Sequence, residues 1–286
     1  MPKWFNIAGP CQPDIHYMLS PTERLPDIKS LIAQQSYFVI HAPRQVGKTT
    51  AMLALAQELT ASGDYTAVMV SAEVGSGYPN DTGQAETAIL RNWYDACTFR
   101  LPATLQPPEY PNTVNGGQIG TFLQRWAQSS PRPLVVFIDE IDALQDDTLI
   151  AVLRQLRAGY PNRPAGFPQS LALIGLRDVR DYKVAAGGRQ RLGTASPFNI
   201  KVASLTLRNF TAAEVARLYQ QHTDLTGQIF TPEVLEQAFE LTQGQPWLVN
   251  ALAKEMVEKL VPDPAQPLTL EHLHQAKENL IERNDT

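Results

Sequence analysis

The segment Ala42-Pro43-Arg44-Gln45-Val46-Gly47-Lys48-Thr49 carries the residue types that hold a row of phosphates. It fits the pattern GxxxxGK[ST] at every defined place but the first, where alanine stands for glycine. In such a loop the backbone N–H groups curl toward an anion at a helix N-terminus and Gly47 lets the backbone approach closely. Lys48 reaches the β- and γ-phosphates, and the Thr49 hydroxyl binds Mg²⁺. Pro43, Arg44, Gln45, Val46 and Thr50 complete the expected cradle. Eight residues with one mismatch also arise on ordinary surface loops, so the flanks decide. An apolar strand, Tyr37-Phe38-Val39-Ile40, precedes the segment, and Met52, Leu55, Ala56 and Leu59 follow at helical spacing up to Ser62-Gly63. Strand, loop and helix in that order are the context the pattern requires.

A second constellation lies downstream. Leu134-Val135-Val136-Phe137-Ile138 is a continuous apolar run that ends in Asp139-Glu140, the form of a Walker B element. Asp139 is expected to hold Mg²⁺ through its water shell, and Glu140 to orient and polarise a water for attack on the γ-phosphate. The alternative is a plain strand-ending turn with two solvated acids. Asp142 is expected to cap the loop rather than touch metal.

The elements that must position these groups alternate. Strand Ala67-Val70 is followed by a helix holding Ile89, Leu90, Trp93, Tyr94 and Cys97. A stretch rich in proline and glycine, Pro102 to Gly117, reads as an irregular surface excursion. A helix over about 118–128 leads into the Leu134 strand. The helix starting near Asp147 places Leu149, Val152, Leu153 and Leu156 on one face, and strand Leu171-Ile174 follows. Such alternation predicts a parallel sheet with helices on both sides. Beyond Leu207 only helices are predicted: Thr211 with Glu214 forms a capping box, Thr231-Pro232 starts a second helix, and Thr269 caps a last one. Two domains are expected, an α/β nucleotide-binding domain over 1–207 and a helical one over 208–286.

The 286 residues are 43% hydrophobic and carry a formal charge of -5, which provides no global attraction to polyanions. Cys11 and Cys97 form neither a disulfide framework nor a zinc pattern. The N-terminus lacks an apolar leader core, and no run of about 18 apolar residues occurs. A cytoplasmic protein without a membrane span is expected.

These residues resemble the AAA+ superfamily of P-loop ATPases, and within it the archaeal-type and STAND-related ATPases. The likeness rests on HAPRQVGKTT at 41–50, FIDEIDAL at 137–144, LALIGLRD at 171–178, SPFNI at 196–200 and TQGQPWLVNALA at 242–253. It implies a three-layer α/β/α P-loop NTPase fold with a parallel 5-1-4-3-2 sheet and a small C-terminal all-helical lid over the nucleotide. The strand ending at Leu176 then lies between the other two motif strands, which makes Arg177 or Asp178 the candidate sensor of the γ-phosphate. The family more usually has a small polar residue there. Gly244-Gln245-Pro246 looks like the GxP element that places Pro246 against the base; the other reading is a helix end at Gly244 and a helix start at Pro246. His16, Tyr17 and Arg24 fall where relatives bring residues toward the adenine.

Five basic residues, Arg177, Arg180, Lys183, Arg189 and Arg191, stand against Asp178 and Asp181. A solvated loop, an arginine finger for a neighbouring subunit, and phosphate contacts all remain open for them. Arg154, Arg157 and Arg163 are rival fingers. The function expected is an ATP-binding, Mg²⁺-dependent ATPase that works as a nucleotide-driven switch within a larger assembly. It would bind ATP and ADP, act on a protein client and form homo-oligomers, with nucleic acid open but not indicated by the charge. The alternative is an ATP-dependent oligomeric scaffold or adaptor, DNA-associated or not, with little hydrolysis. No guanine-reading NKxD stands in a suitable place.

Overall fold

The computed structural model describes residues 3–109, 114–176 and 203–284. By contact the chain divides into a sheet unit, Leu25–Pro43 with Ala51–Leu207, and a helical unit, Met1–Arg24 with Arg44–Thr50 and Arg208–Thr286.

The sheet unit is built on five parallel strands: β1 (Tyr37–His41), β2 (Thr66–Ser71), β3 (Leu134–Asp139), β4 (Ser170–Gly175) and β5 (Ala203–Thr206). Their spatial order, β2-β3-β4-β1-β5, is the 5-1-4-3-2 order implied by the resemblance. Strands β1 to β4 are buried along nearly their whole length, which explains why they read as unbroken apolar runs rather than alternating ones. On one face Val39, Val70, Val136, Ile138 and Leu173 share a core with three helices. These are α3 (Thr82–Arg100), α4 (Gln118–Ser129) and α5 (Asp146–Gly159). Helix α1 (Ile28–Ala33) packs on β1 and β4, and α2 (Lys48–Ala61) is joined to β2 by the Thr60 hydroxyl, bonded to both the Ala67 N–H and its carbonyl.

Two features differ from expectation. The Pro102–Gly117 stretch is not wholly superficial: Leu105 is buried in the core, and its carbonyl accepts the Trp126 indole N–H at 3.1 Å. A buried indole must find an acceptor, and this loop provides it. The edge strand β5 has only four residues, half-buried and exposed in turn, too short for a periodicity to announce it.

The helical unit comprises α6 (Ala212–Thr226), α7 (Pro232–Thr242), α8 (Pro246–Glu255) and α9 (Leu270–Asn284). The Thr211–Glu214 capping box is present, and Thr269 bonds His272 at the start of α9. Phe5 and Tyr17 from the N-terminal segment lie in the core of this unit with Val215, Tyr219 and Phe230. The Tyr17 hydroxyl pairs with His222 Nδ1 at 3.0 Å. Gly244 has φ +67, and a methyl group there would come within 1.9 Å of the Phe210 carbonyl oxygen, so the α7–α8 junction accepts only glycine. Among the described residues no helix is long and apolar enough to cross a membrane.

Two carboxylates of the helical unit titrate far below their usual range. The Arg208 fork and the Thr211 cap hold Glu214 down at about 2. Burial pushes Glu255 up, but bonds from Arg283, Asn279 and Lys259 outweigh it and also bring it down to about 2. Groups with depressed native values stabilise the fold above their unfolded value of about 4.5 and cease to do so as pH falls toward about 2. Urea unfolding of the wild type should therefore weaken across that window. Glu255→Gln should lower stability at neutral pH and flatten the acid loss; an equally steep acid loss in the variant would contradict the assignment.

Candidate functional site

All five strands run the same way, so their C-terminal ends share one edge, and the register aligns His41 of β1 with Gly175 of β4 and Ser71 of β2 with Asp139 of β3. The chain leaves β1 at Ala42, whose N–H reaches the Gly175 carbonyl at 3.4 Å. Asp139 is buried at the last position of β3, and its Oδ1 accepts the Glu140 N–H at 3.0 Å. Glu140 follows in the left-handed region, φ 55, which is costly for a residue with a Cβ and turns the chain sharply at the strand end.

The Glu140 carboxylate is held at this edge. The Ser71 hydroxyl donates to Glu140 Oε2 at 2.7 Å and accepts the Glu73 N–H at 3.0 Å. Ser71 is itself fixed, because the buried Trp93 indole N–H donates to its carbonyl at 2.8 Å. Glu140 beside Glu73 raises the proton affinity of Glu73, with Asp139 adding in the same direction. Neither Ser71 nor Glu73 stands out in the sequence; the signal was the register that sets the end of β2 beside the end of β3. Asp142 closes the neighbouring strand end by accepting the Leu176 N–H at 3.2 Å. β4 does lie between β1 and β3. The sensor candidates Arg177 and Asp178, together with Arg180, Asp181, Lys183, Arg189 and Arg191, fall outside the described residues.

Within the helical unit, Arg44–Thr50 has the backbone of an anion cradle. Gln45 and Gly47 both have left-handed φ, 63 and 85, and α2 begins at Lys48. Left-handed residues in a turn swing successive N–H groups to one side, and the helix N-terminus adds its partial positive charge. Val46 is buried between them, while Pro43, Arg44, Gln45 and Thr49 are exposed. The buried Arg24 donates from Nη1 to the carbonyls of Val46 at 2.9 Å and Arg208 at 3.0 Å, and its guanidinium lies 4.9 Å from the Phe210 ring centroid. Burial lowers its value to about 10. Thr50 Oγ1 accepts the Cys11 N–H, and Gln245 Nε2 lies 3.5 Å from the Gln45 carbonyl.

Gln243 and Gly244, both left-handed, end α7; Gln245 caps the Leu248 N–H, and Pro246 is buried at the first position of α8. His16 accepts the Gln12 N–H and Tyr17 meets His222, so both side chains are engaged inside the helical unit, while Arg24 reaches the loop. Of the rival finger candidates, Arg163 is engaged within its own unit. Its guanidinium lies 3.4 Å from the Tyr160 ring centroid, its Nε donates to the Tyr160 carbonyl, and its Nη1 donates to Gln35. Arg154 is exposed on α5 and Arg157 half-buried.

Thr49 and Asp139 are oxygen donors of the kind Mg²⁺ takes. Among the described residues no group of three or more His, Cys, Asp or Glu is arranged to hold a metal ion.

No protein-family model and no curated protein matches the sequence. Solved structures do match. A Walker-type ATPase of Pyrococcus abyssi superposes with a TM-score of 0.64 over 98% of this chain and 77% of its own, at 10% identity. The Thermotoga maritima RuvB Holliday junction branch migration motor gives 0.52 over 91% and 67%, at 16% identity. The ORC2 protein of Aeropyrum pernix, in ADPNP and ADP complexes, gives 0.52 over 96% and 70%, at 12% identity. At these identities the likeness shows the fold alone, a P-loop NTPase α/β sheet unit with a helical C-terminal region.

Gly47→Ala forces a side chain into a left-handed position and brings its methyl within 3.2 Å of Arg24 Nη2. The strain alone costs about 1–2 kcal/mol. The variant should lower the thermal midpoint and weaken binding of any polyphosphate; a variant as stable as the wild type would contradict the loop geometry.

Proposed function

We propose that this protein binds ATP with Mg²⁺ and hydrolyses it to ADP and phosphate, using the cycle as a conformational switch on a partner. The observation that carries the proposal is the left-handed Gln45/Gly47 turn leading into Lys48-Thr49 at the start of α2, in a chain whose β3 ends in Asp139-Glu140. In this reading the chain is a nucleotide-binding domain (1–207) and a lid (208–286) that hydrolysis moves, with residues 1–24 and 44–50 grouped by contact with the lid.

The loop amides and Lys48 bind the phosphates, with Pro43, Arg44, Val46 and Thr50 shaping the cradle. Thr49 and Asp139 are the residues that would hold Mg²⁺, which supplies charge neutralisation on the phosphate oxygens. Glu140 polarises the attacking water, Arg177 senses the γ-phosphate, and Pro246 closes on the base. The Ser71 bond engages Glu140 Oε2, so the water is polarised either by Oε1 or by an Oε2 whose basicity that bond lowers.

That same bond favours a second reading, a nucleotide-dependent scaffold with little turnover, because one of the two carboxylate oxygens is already engaged. RuvB, one of the structural matches, is a Holliday junction branch migration motor, so nucleic acid belongs among the partners to try, against the net charge of -5.

Lys48→Ala is expected to abolish ATP binding measured by calorimetry. Glu140→Gln should bind ATP normally and lose about 10²–10⁴-fold in turnover; normal turnover in that variant would refute the role of Glu140. Ser71→Ala separates the two readings. Faster steady-state hydrolysis with unchanged ATP affinity supports an ATPase restrained at this contact, whereas no turnover in either protein, with ATP-dependent growth in solution mass, favours the scaffold.

A further inference from the structure

Arg24 is a buried cation, 6% exposed, whose Nε has no hydrogen-bond partner among the described residues. Such a group is costly unless an anion lies near. The carboxylate in its neighbourhood, Glu214, is already gripped by both Nη atoms of Arg208, at 2.6 and 2.9 Å. Two guanidinium groups therefore share one carboxylate, and the excess positive charge lies beside residues 44–50.

The direction of its hydrogen bond matters as much as the charge. A peptide unit is planar and trans, so its C=O and N–H point opposite ways. The Val46 carbonyl is drawn onto Arg24 Nη1, which sends the N–H of the same peptide, that of Gly47, away from Arg24. The Gln45 carbonyl is approached by Gln245 in the same manner, which orients the Val46 N–H. Left-handed φ at Gly47 makes this arrangement accessible, and Arg24 Nη2 sits where a side chain at Gly47 would lie.

We infer that Arg24 is a positioning residue for polyphosphate: it fixes the Gly47 amide toward the bound anion, and the anion in turn compensates its buried charge. This rests on the nucleotide reading above and adds to it a phosphate role, distinct from contact with the base, for a residue outside the loop. Its second bond, to the Arg208 carbonyl just before α6, means that changes in the loop act directly on the entry to the helical unit.

The test compares wild type, Arg24→Met and Arg24→Lys, each checked for native helicity by circular dichroism, with three probes: Mg²⁺–ATP, Mg²⁺–tripolyphosphate and adenosine. Arg24→Met should lose at least tenfold in affinity for ATP and for tripolyphosphate, by similar factors, with adenosine unaffected. Arg24→Lys, which keeps the charge but on a single donor nitrogen, should fall between. Equal affinities in all three proteins, or a loss confined to adenosine and ATP, overturn the inference and leave the nucleotide reading standing. Failure of the wild type to bind either ATP or tripolyphosphate removes that reading and this inference with it.

Discussion

A parallel sheet has one edge at which every strand ends, and the chemistry proposed for this chain depends on that constraint. With β4 between β1 and β3, the loop that leaves β1 and the carboxylates that close β3 depart from the same edge. The strands must be buried on both faces to be parallel, because their crossovers carry helices. The unbroken apolar runs at 37–40, 67–70, 134–138 and 171–174 are thus the cause of the architecture, and polar residues are left to the strand ends, where Ser71, Asp139 and Glu140 sit.

The second dependence is electrostatic. Arg44–Thr50 groups with the N-terminal segment and Arg208–Thr286, and the buried guanidinium of Arg24 bonds both the Val46 and the Arg208 carbonyls. Its charge is paid for only in part by Glu214, which its own partner Arg208 already holds. An arrangement that leaves cationic charge beside a turn of converging amides is unstable in isolation and is improved by an anion. The same turn carries conformational strain at Gln45, a residue with a Cβ at positive φ, which is tolerated where function over-determines the backbone.

How much of this was legible from the residues follows from range. The two motifs, the strands β1 to β4 and the capping box of α6 are encoded in short stretches of apolar period and capping chemistry, while the strand order is implied only by the family resemblance. The fifth strand was not, because Ala203–Thr206 offers four residues with no buried run. Ser71 on Glu140, Leu105 under Trp126 and Arg24 on Val46 are contacts between residues 69, 21 and 22 positions apart, and each residue type has an unremarkable local reading. Gly244 was read as either a nucleotide element or a helix end. Its positive φ and the Phe210 backbone against it make the helix end a sufficient reason for the glycine.

That Lys48, Thr49, Asp139 and Glu140 serve one metal–triphosphate is open to a crystal structure of the Glu140→Gln protein with Mn²⁺ and a slowly hydrolysed ATP analogue. An anomalous manganese peak is expected, coordinated by Thr49 Oγ1 and the analogue's phosphates, with Asp139 at its water shell. A peak elsewhere, or phosphates bound away from the Gly47 amide, would contradict it.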